Sequence, residues 1–192
     1  MQTLFVDFDG TICHDRFWRS LNISENKQIQ DFLFSGNNSI VTDWMRGVYT
    51  SEQINELVSK ETGLDYEYLW AAFMHDCKTM SVQPEILNQI NQLRSEYHVV
   101  LITGNMDCFS RFTVPALQLG EYFDVIVNSF DEKQLKTDDN GSSFIKYVKG
   151  SIQDAILIED SEKSCEIFKG LGGNAYRVIN RDDTLKHLQN LR

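Results

Sequence analysis

Asp7-Phe8-Asp9-Gly10-Thr11 ends an apolar run, Leu4-Phe5-Val6, that begins almost at the N-terminus. Such a run, stopping at two carboxylates and a glycine, reads as a buried strand that delivers acidic groups to a turn at its carboxyl end. Taken by itself the stretch is explained equally well by a surface turn rich in Asp. Two later apolar runs end in a comparable way, Val99 to Ile102 in Thr103-Gly104-Asn105 and Ala155 to Ile158 in Glu159-Asp160-Ser161. If the three strands are parallel neighbours, Asp7, Asp9, Glu159 and Asp160 share one cleft with the Thr103 hydroxyl. Like charges at that spacing raise one another's pKa and destabilise the fold unless a cation compensates them. An oxygen-only ligand set suits Mg2+, which also holds phosphate oxygens. Thr103, with the Gly104 and Asn105 amides at the start of the next helix, offers an anion site. The polar segment that follows supplies two lysines, Lys133 and Lys136; Lys136 is preferred because it leaves room for a loop, one helix and a strand before Glu159.

These motifs need elements to hold them. Apolar spacing predicts helices near Lys27 to Phe34, Ser51 to Thr62 and Asp65 to Cys77, with a capped start around Thr50-Ser51 and a stop at Gly63. A helix is expected from Pro84 to Tyr97, then a strand from His98 to Ile102, a helix near Cys108 to Leu119 and a short strand at Asp124 to Val127. Asn128 to Ser143 reads as a polar loop, with Asn140-Gly141 as a turn. Further elements are expected as a helix near Phe144 to Lys149, the strand at Ala155 to Ile158, a helix from Glu162 to Gly170, a strand from Ala175 to Ile179 and a last helix from Asp183 to Leu191. Strands alternating with helices imply an α/β fold, a three-layer Rossmann-like parallel sheet. Residues 1–14 and 81–192 form that core, and residues 15–80 form an inserted helical unit with no strand of its own.

The chain has 192 residues, 42% of them hydrophobic, enough for one core with a modest insertion. Its formal net charge of -10 argues against nucleic acid or an anionic membrane as partner, since either needs a basic patch. An anionic substrate must then be met by local positive charge, which again calls for a bound cation. Cys13, Cys77, Cys108 and Cys165 show neither a disulfide framework nor a zinc spacing, so buried thiols in a reduced compartment are expected. With no leader pattern and no membrane-length apolar run, a cytoplasmic location is the expectation.

In order and spacing, DFDGT after the first strand, Thr-Gly-Asn after the second, a lysine and then Glu-Asp after a later strand resemble the haloacid dehalogenase superfamily of phosphohydrolases. The resemblance implies that Asp7 is the nucleophile, forming an aspartyl-phosphate, and Asp9 the general acid and base. It implies that Thr103 and Lys136 hold the phosphoryl group, and that Asp7, the Asp9 carbonyl, Asp160 and Glu159 hold Mg2+. An acid at Asp9 favours phosphate esters over halide displacement, because an alkoxide needs a proton and a halide does not. Family members often place proline after the lysine, whereas Lys136 precedes Thr137-Asp138. The helical insertion matches the family's cap, which suits a small phosphorylated metabolite such as a sugar phosphate or nucleotide. A phosphomutase using the same intermediate and a non-catalytic phospho-ligand binding protein are the alternatives. Trp18, Trp44 and Trp70 are expected in the core of the insertion. Arg16, Arg19, Arg46 and His14 are expected on solvated faces, and Asp138-Asp139 as solvated loop charges.

Overall fold

The structure, a computed structural model, describes residues 1–35 and 39–191; residues 36–38 of the expected helical insertion therefore lie outside the described residues. Strands β1 (Gln2–Val6), β2 (Tyr97–Thr103), β3 (Val125–Asn128), β4 (Ile156–Glu159) and β5 (Asn174–Arg177) form one sheet in the order β3-β2-β1-β4-β5. Every pairing is parallel, with Val6 opposite both Leu101 of β2 and Ile158 of β4. Parallel strands need crossovers on both faces, and the side chains divide accordingly. Leu4, Val6, Val99, Leu101, Ile156 and Ile158 pack on one face. Phe5, Val100, Ile102 and Leu157 pack on the other, where Phe5 meets Phe144 and Phe168 edge-on at 5.5 and 5.7 Å between ring centres. This is the expected three-layer α/β sheet.

Four helices stand between β1 and the first crossover helix and add no strand to the sheet: α1 (Ile23–Phe34), α2 (Ile40–Met45), α3 (Ser51–Thr62) and α4 (Tyr66–Lys78). Thr50 and Gln53 form a reciprocal capping box at the start of α3, and Gly63 ends it at φ +72°, a conformation glycine adopts without a Cβ clash. Helix α1 starts at Ile23, ahead of the expected Lys27, because Asn22 caps it by accepting from the Glu25 amide. Trp18 and Trp44 are fully buried, and Trp70 packs against the same cluster.

Several expectations are corrected after α5 (Pro84–Leu93). Tyr97 belongs to β2, paired with Gln2, not to α5. The helix expected from Cys108 to Leu119 breaks into a π-helical turn (Phe109–Thr113), a single turn α6 (Val114–Ala116) and a 3-10 turn (Leu119–Glu121), because Pro115 has no N–H to continue the ladder. The polar segment carries an unexpected short helix, α7 (Ser129–Glu132), capped by Asn128, whereas the helix expected near Phe144 to Lys149 is present as α8 (Ser142–Tyr147). Helices α9 (Glu162–Gly170) and α10 (Asp183–Gln189) complete the chain, with β5 ending at Arg177 rather than Ile179. All four cysteines are free and buried, and burial pushes the Cys13 and Cys165 thiols up to about 11. No helix among the described residues is long and apolar enough to cross a membrane.

The insertion shares one hydrophobic cluster with the sheet, and Asp107 fastens the two together. This buried carboxylate accepts from Trp44 Nε1 (2.9 Å), Ser51 N (3.0 Å) and Ser51 Oγ (2.6 Å), and pairs with Arg111 at 2.7 Å. Truncating it strands three donors on two residues, Trp44 and Ser51, that are fully or almost fully buried. Asp107→Ala is therefore expected to lower stability in urea unfolding by about 3–5 kcal/mol, and a loss under 1 kcal/mol would contradict the fastening role.

Candidate active site

Reversal of strand order at β1 opens a crevice beyond the carboxyl ends of β1 and β4, the place where open α/β sheets bind ligands. Asp7 extends β1 into it, its amide donating to Ile158 O at 3.0 Å. Glu159 closes β4 and Asp160 follows it. Lys136 Nζ lies 2.5 Å from Asp7 Oδ1 and 2.5 Å from Glu159 Oε2, and donates to Ile102 O at 3.4 Å. The contact to Glu159 Oε2 is an ion pair without hydrogen-bond alignment. Thr11 Oγ1 donates to Asp7 Oδ2 (3.3 Å) and accepts from the Asp160 amide (3.1 Å), tying the first motif to the last. Gly10 is required here: at φ +77°, a Cβ on it would stand 2.2 Å from Asp160 Oδ2.

Asp9 is turned away from this cluster and toward the second motif. Its Oδ2 accepts from Asn105 Nδ2 at 2.6 Å. Asn105 is held in turn by Ser129, whose Oγ accepts from the Asn105 amide (3.0 Å) and shares its one proton between Met45 O (2.8 Å) and Asn105 O (3.0 Å). The Met106 amide goes to Asn105 Oδ1 at 2.9 Å. Of the three residues expected to form the anion loop, Asn105 thus has its backbone amide engaged within the protein. Thr103 Oγ1 is buried with no partner, an arrangement that costs on the order of 1–3 kcal/mol.

Lys133 is excluded from the cleft: its ammonium sits over the Phe130 ring, 4.1 Å from the centroid, beside Gly47. Arg46 and Asp138, both expected as solvated charges, remain partly exposed but are paired with each other, Arg46 Nη2 to Asp138 Oδ1 at 2.7 Å and Nε to Oδ2 at 3.1 Å. Asp138 Oδ2 also takes the Leu135 amide at 3.0 Å, so the pair bridges from the end of α2 to the turn carrying Lys136. Arg19 is likewise engaged, donating to the Asp76 and Thr79 carbonyls. Ser129, Asp107 and Asp138 were not singled out as site residues by their local sequence, because their partners are distant along the chain.

Burial dominates the electrostatics. It raises the Asp9 carboxyl from 3.8 to about 7, with Asp7 adding to the effect. It raises Glu159 from 4.5 to about 8, again with Asp7 contributing and against the pull of Lys136. Asp7 is also raised by burial, Lys136 opposing. For Lys136 burial works against the charge, but Asp7 and Glu159 outweigh it and hold the ammonium above its usual range. Oxygen atoms of Asp7, Glu159 and Asp160 lie within 4.8 Å of one another. With all three ionised, these carboxylates and the one ammonium would leave two negative charges, and an all-oxygen donor set of that charge fits Mg2+, whose binding would displace the protons. The Asp9 side chain is outside this trio.

Two cavities meet at Asp9, Met45 and Gly104. One of about 330 Å³ holds Asp7, Lys136, Glu159 and Asp160; the other, of about 310 Å³, lies toward the insertion and includes Phe17 and Met80.

Neither a protein-family model nor a curated protein sequence matches the chain. Solved structures do. A HAD family enzyme from Bacteroides thetaiotaomicron, in complex with magnesium and inorganic phosphate, superposes with a TM-score of 0.72 at 18% identity, over 92% of this chain and 93% of that one. A predicted HAD-like family hydrolase from Porphyromonas gingivalis gives 0.73 at 15% identity, over 100% and 97%. The L-2-haloacid dehalogenase of Xanthobacter autotrophicus gives 0.61 at 11% identity, over 93% and 77%. At these identities the likeness establishes the fold, which is that of the haloacid dehalogenase enzymes.

Carboxyls raised in the fold bind protons that the unfolded chain has already released, so stability falls as pH rises through their folded values. In EDTA, the melting temperature is expected to drop by roughly 5 °C or more between about pH 5 and about pH 8.5, and Mg2+ is expected to flatten the profile. Stability that rises over this range without metal would contradict the assigned shifts.

Proposed function

We propose that this chain is a Mg2+-dependent phosphatase that hydrolyses a small phosphorylated metabolite through an aspartyl-phosphate on Asp7. The observation that carries the reading is the contrast between two carboxylates one residue apart. Asp7 is ion-paired with Lys136, whereas Asp9 is hydrogen-bonded by Asn105 and has a carboxyl near neutrality, at about 7. Burial raises both carboxyls, so the division rests on their partners: the ammonium beside Asp7 favours the charged form that attacks, and the uncharged amide beside Asp9 leaves it able to carry a proton. Asp7 attacks phosphorus; the bond from phosphorus to the leaving oxygen breaks, and Asp9 gives that oxygen its proton. Asp9, now a carboxylate, takes a proton from water, which attacks the acyl phosphate and releases inorganic phosphate and free Asp7. Lys136 and the unpartnered Thr103 hydroxyl hold phosphoryl oxygens, with the Gly104 and Asn105 loop alongside, and Glu159 keeps Lys136 oriented. Mg2+, held by Asp7, Asp160, the Asp9 carbonyl and the nearby Glu159, would neutralise charge on the phosphoryl group.

Halide displacement is the alternative chemistry of this fold, and a carboxylic acid poised at Asp9 has no task in it. The magnesium and phosphate bound by the Bacteroides enzyme support the phosphate reading. Release of p-nitrophenol from its phosphate ester should require Mg2+ and stop in EDTA. Asp7→Asn should lose at least about a thousandfold in kcat, and Asp9→Asn about a hundredfold or more. Turnover insensitive to chelation, or an Asp7→Asn variant as active as the parent, would overturn the reading.

A further inference from the structure

The cavity on the insertion side of Asp9 says what kind of alcohol leaves. It adjoins the carboxylate cavity at Asp9, Met45 and Gly104, so a phosphate among Asp7, Lys136 and Thr103 directs its ester oxygen past Asp9 into this chamber. The walls are mainly apolar: Phe17, Phe34, Val41, Met45, Met80 and Met106. Its polar side chains beyond Asp9 are Asp15, Arg16 and Gln30. Asp15 is engaged, accepting from the Ser81 amide at 2.8 Å and standing 3.9 Å from Arg19. Arg16 makes no ion pair among the described residues, its one side-chain hydrogen bond being to the Asp15 carbonyl at 3.2 Å. Gln30 makes no side-chain hydrogen bond among them. The chamber therefore offers an apolar body with one unpaired cation and one free amide.

Resting on the phosphatase reading, we propose that the substrate is the phosphomonoester of an apolar, aromatic or branched, alcohol bearing a carboxylate that Arg16 and Gln30 receive. A polyhydroxylated sugar is a poor match, since each hydroxyl left against these walls without a partner costs about tenfold in affinity. Three thioethers among six apolar side chains favour a ring, because methionine sulfur packs well at aromatic edges and adapts to irregular shapes. The carboxylate meets a planar guanidinium suited to bidentate pairing.

Benzyl phosphate, para-carboxybenzyl phosphate and glucose phosphate esterified at its primary hydroxyl test this, because their leaving alcohols are of comparable basicity. With Mg2+, kcat/KM for benzyl phosphate is expected to exceed that for the glucose ester by about tenfold, with about tenfold more for the carboxylated ester. Arg16→Gln is expected to bring the two benzyl esters within about twofold of each other. A glucose ester turned over as well as benzyl phosphate overturns the apolar assignment; a carboxylate advantage that is absent, or that survives Arg16→Gln, overturns the Arg16 assignment. If no ester, p-nitrophenyl phosphate included, releases phosphate, the phosphatase reading fails by itself. Calorimetric binding of benzylphosphonate and para-carboxybenzylphosphonate then decides the chamber: tighter binding of the carboxylated compound, lost in Arg16→Gln, upholds it, and equal or undetectable binding overturns it.

Discussion

A buried ammonium between two buried carboxylates is the contact on which the rest of the site depends. Lys136 reaches Asp7 and Glu159 at the same distance, 2.5 Å, although these residues come from three separate segments of the chain. Desolvating one such ion alone costs several kcal/mol, so each member of the trio is tolerable because the others are present. That requirement fixes the neighbouring ends of β1 and β4 and the turn after α7 relative to one another. Hydrogen bonds from Thr11 to Asp7 and from Asp160 to Thr11, with the absence of a side chain at Gly10, complete the same junction. What remains unbalanced is negative charge, and this is why the arrangement favours a divalent cation.

The helical insertion is bound to this centre rather than lying loosely above it. Asp107 gathers Trp44 and Ser51 from the insertion; Ser129 joins the Met45 carbonyl to Asn105; Arg46 reaches Asp138 beside Lys136. Met45 consequently borders both cavities at the point where Asp9 sits. Asp9 is thus positioned by Asn105, which Ser129 holds, and the chamber on the insertion side is shaped by a segment tied to those same residues.

The strand endings were legible in the sequence because each depends on local signals: an apolar run, then acidic or hydroxyl residues and a glycine. Asp7, Glu159 and Asp160 meet where a parallel sheet requires, Thr103 ends the neighbouring β2, and the spacing argument for Lys136 over Lys133 agrees with the geometry. Elements shorter than two helical turns left no periodicity to read, which hid α2 and α7. Pro115 could have announced the broken helix after β2, since its missing N–H is a local fact. The connections that orient the site were not readable: Asn105 to Asp9, Arg46 to Asp138 and Ser51 to Asp107 join residues far apart in sequence, and nothing in the composition around them marks the pairing. Asp138 looked like one more loop carboxylate until the fold brought Arg46 to it.

The central claim is that Asp7, held by Lys136, takes the phosphoryl group covalently before water does. Mixing the Asp9→Asn variant with radiolabelled p-nitrophenyl phosphate, whose leaving group needs no proton, and Mg2+, quenching in acid and mapping the label by peptide analysis tests it directly. With acid–base help to the second step removed, label is expected to accumulate on the peptide containing Asp7 and to be released by hydroxylamine, as an acyl phosphate requires. Label on another residue, or full phosphate release with no labelled protein at any time, would contradict the account.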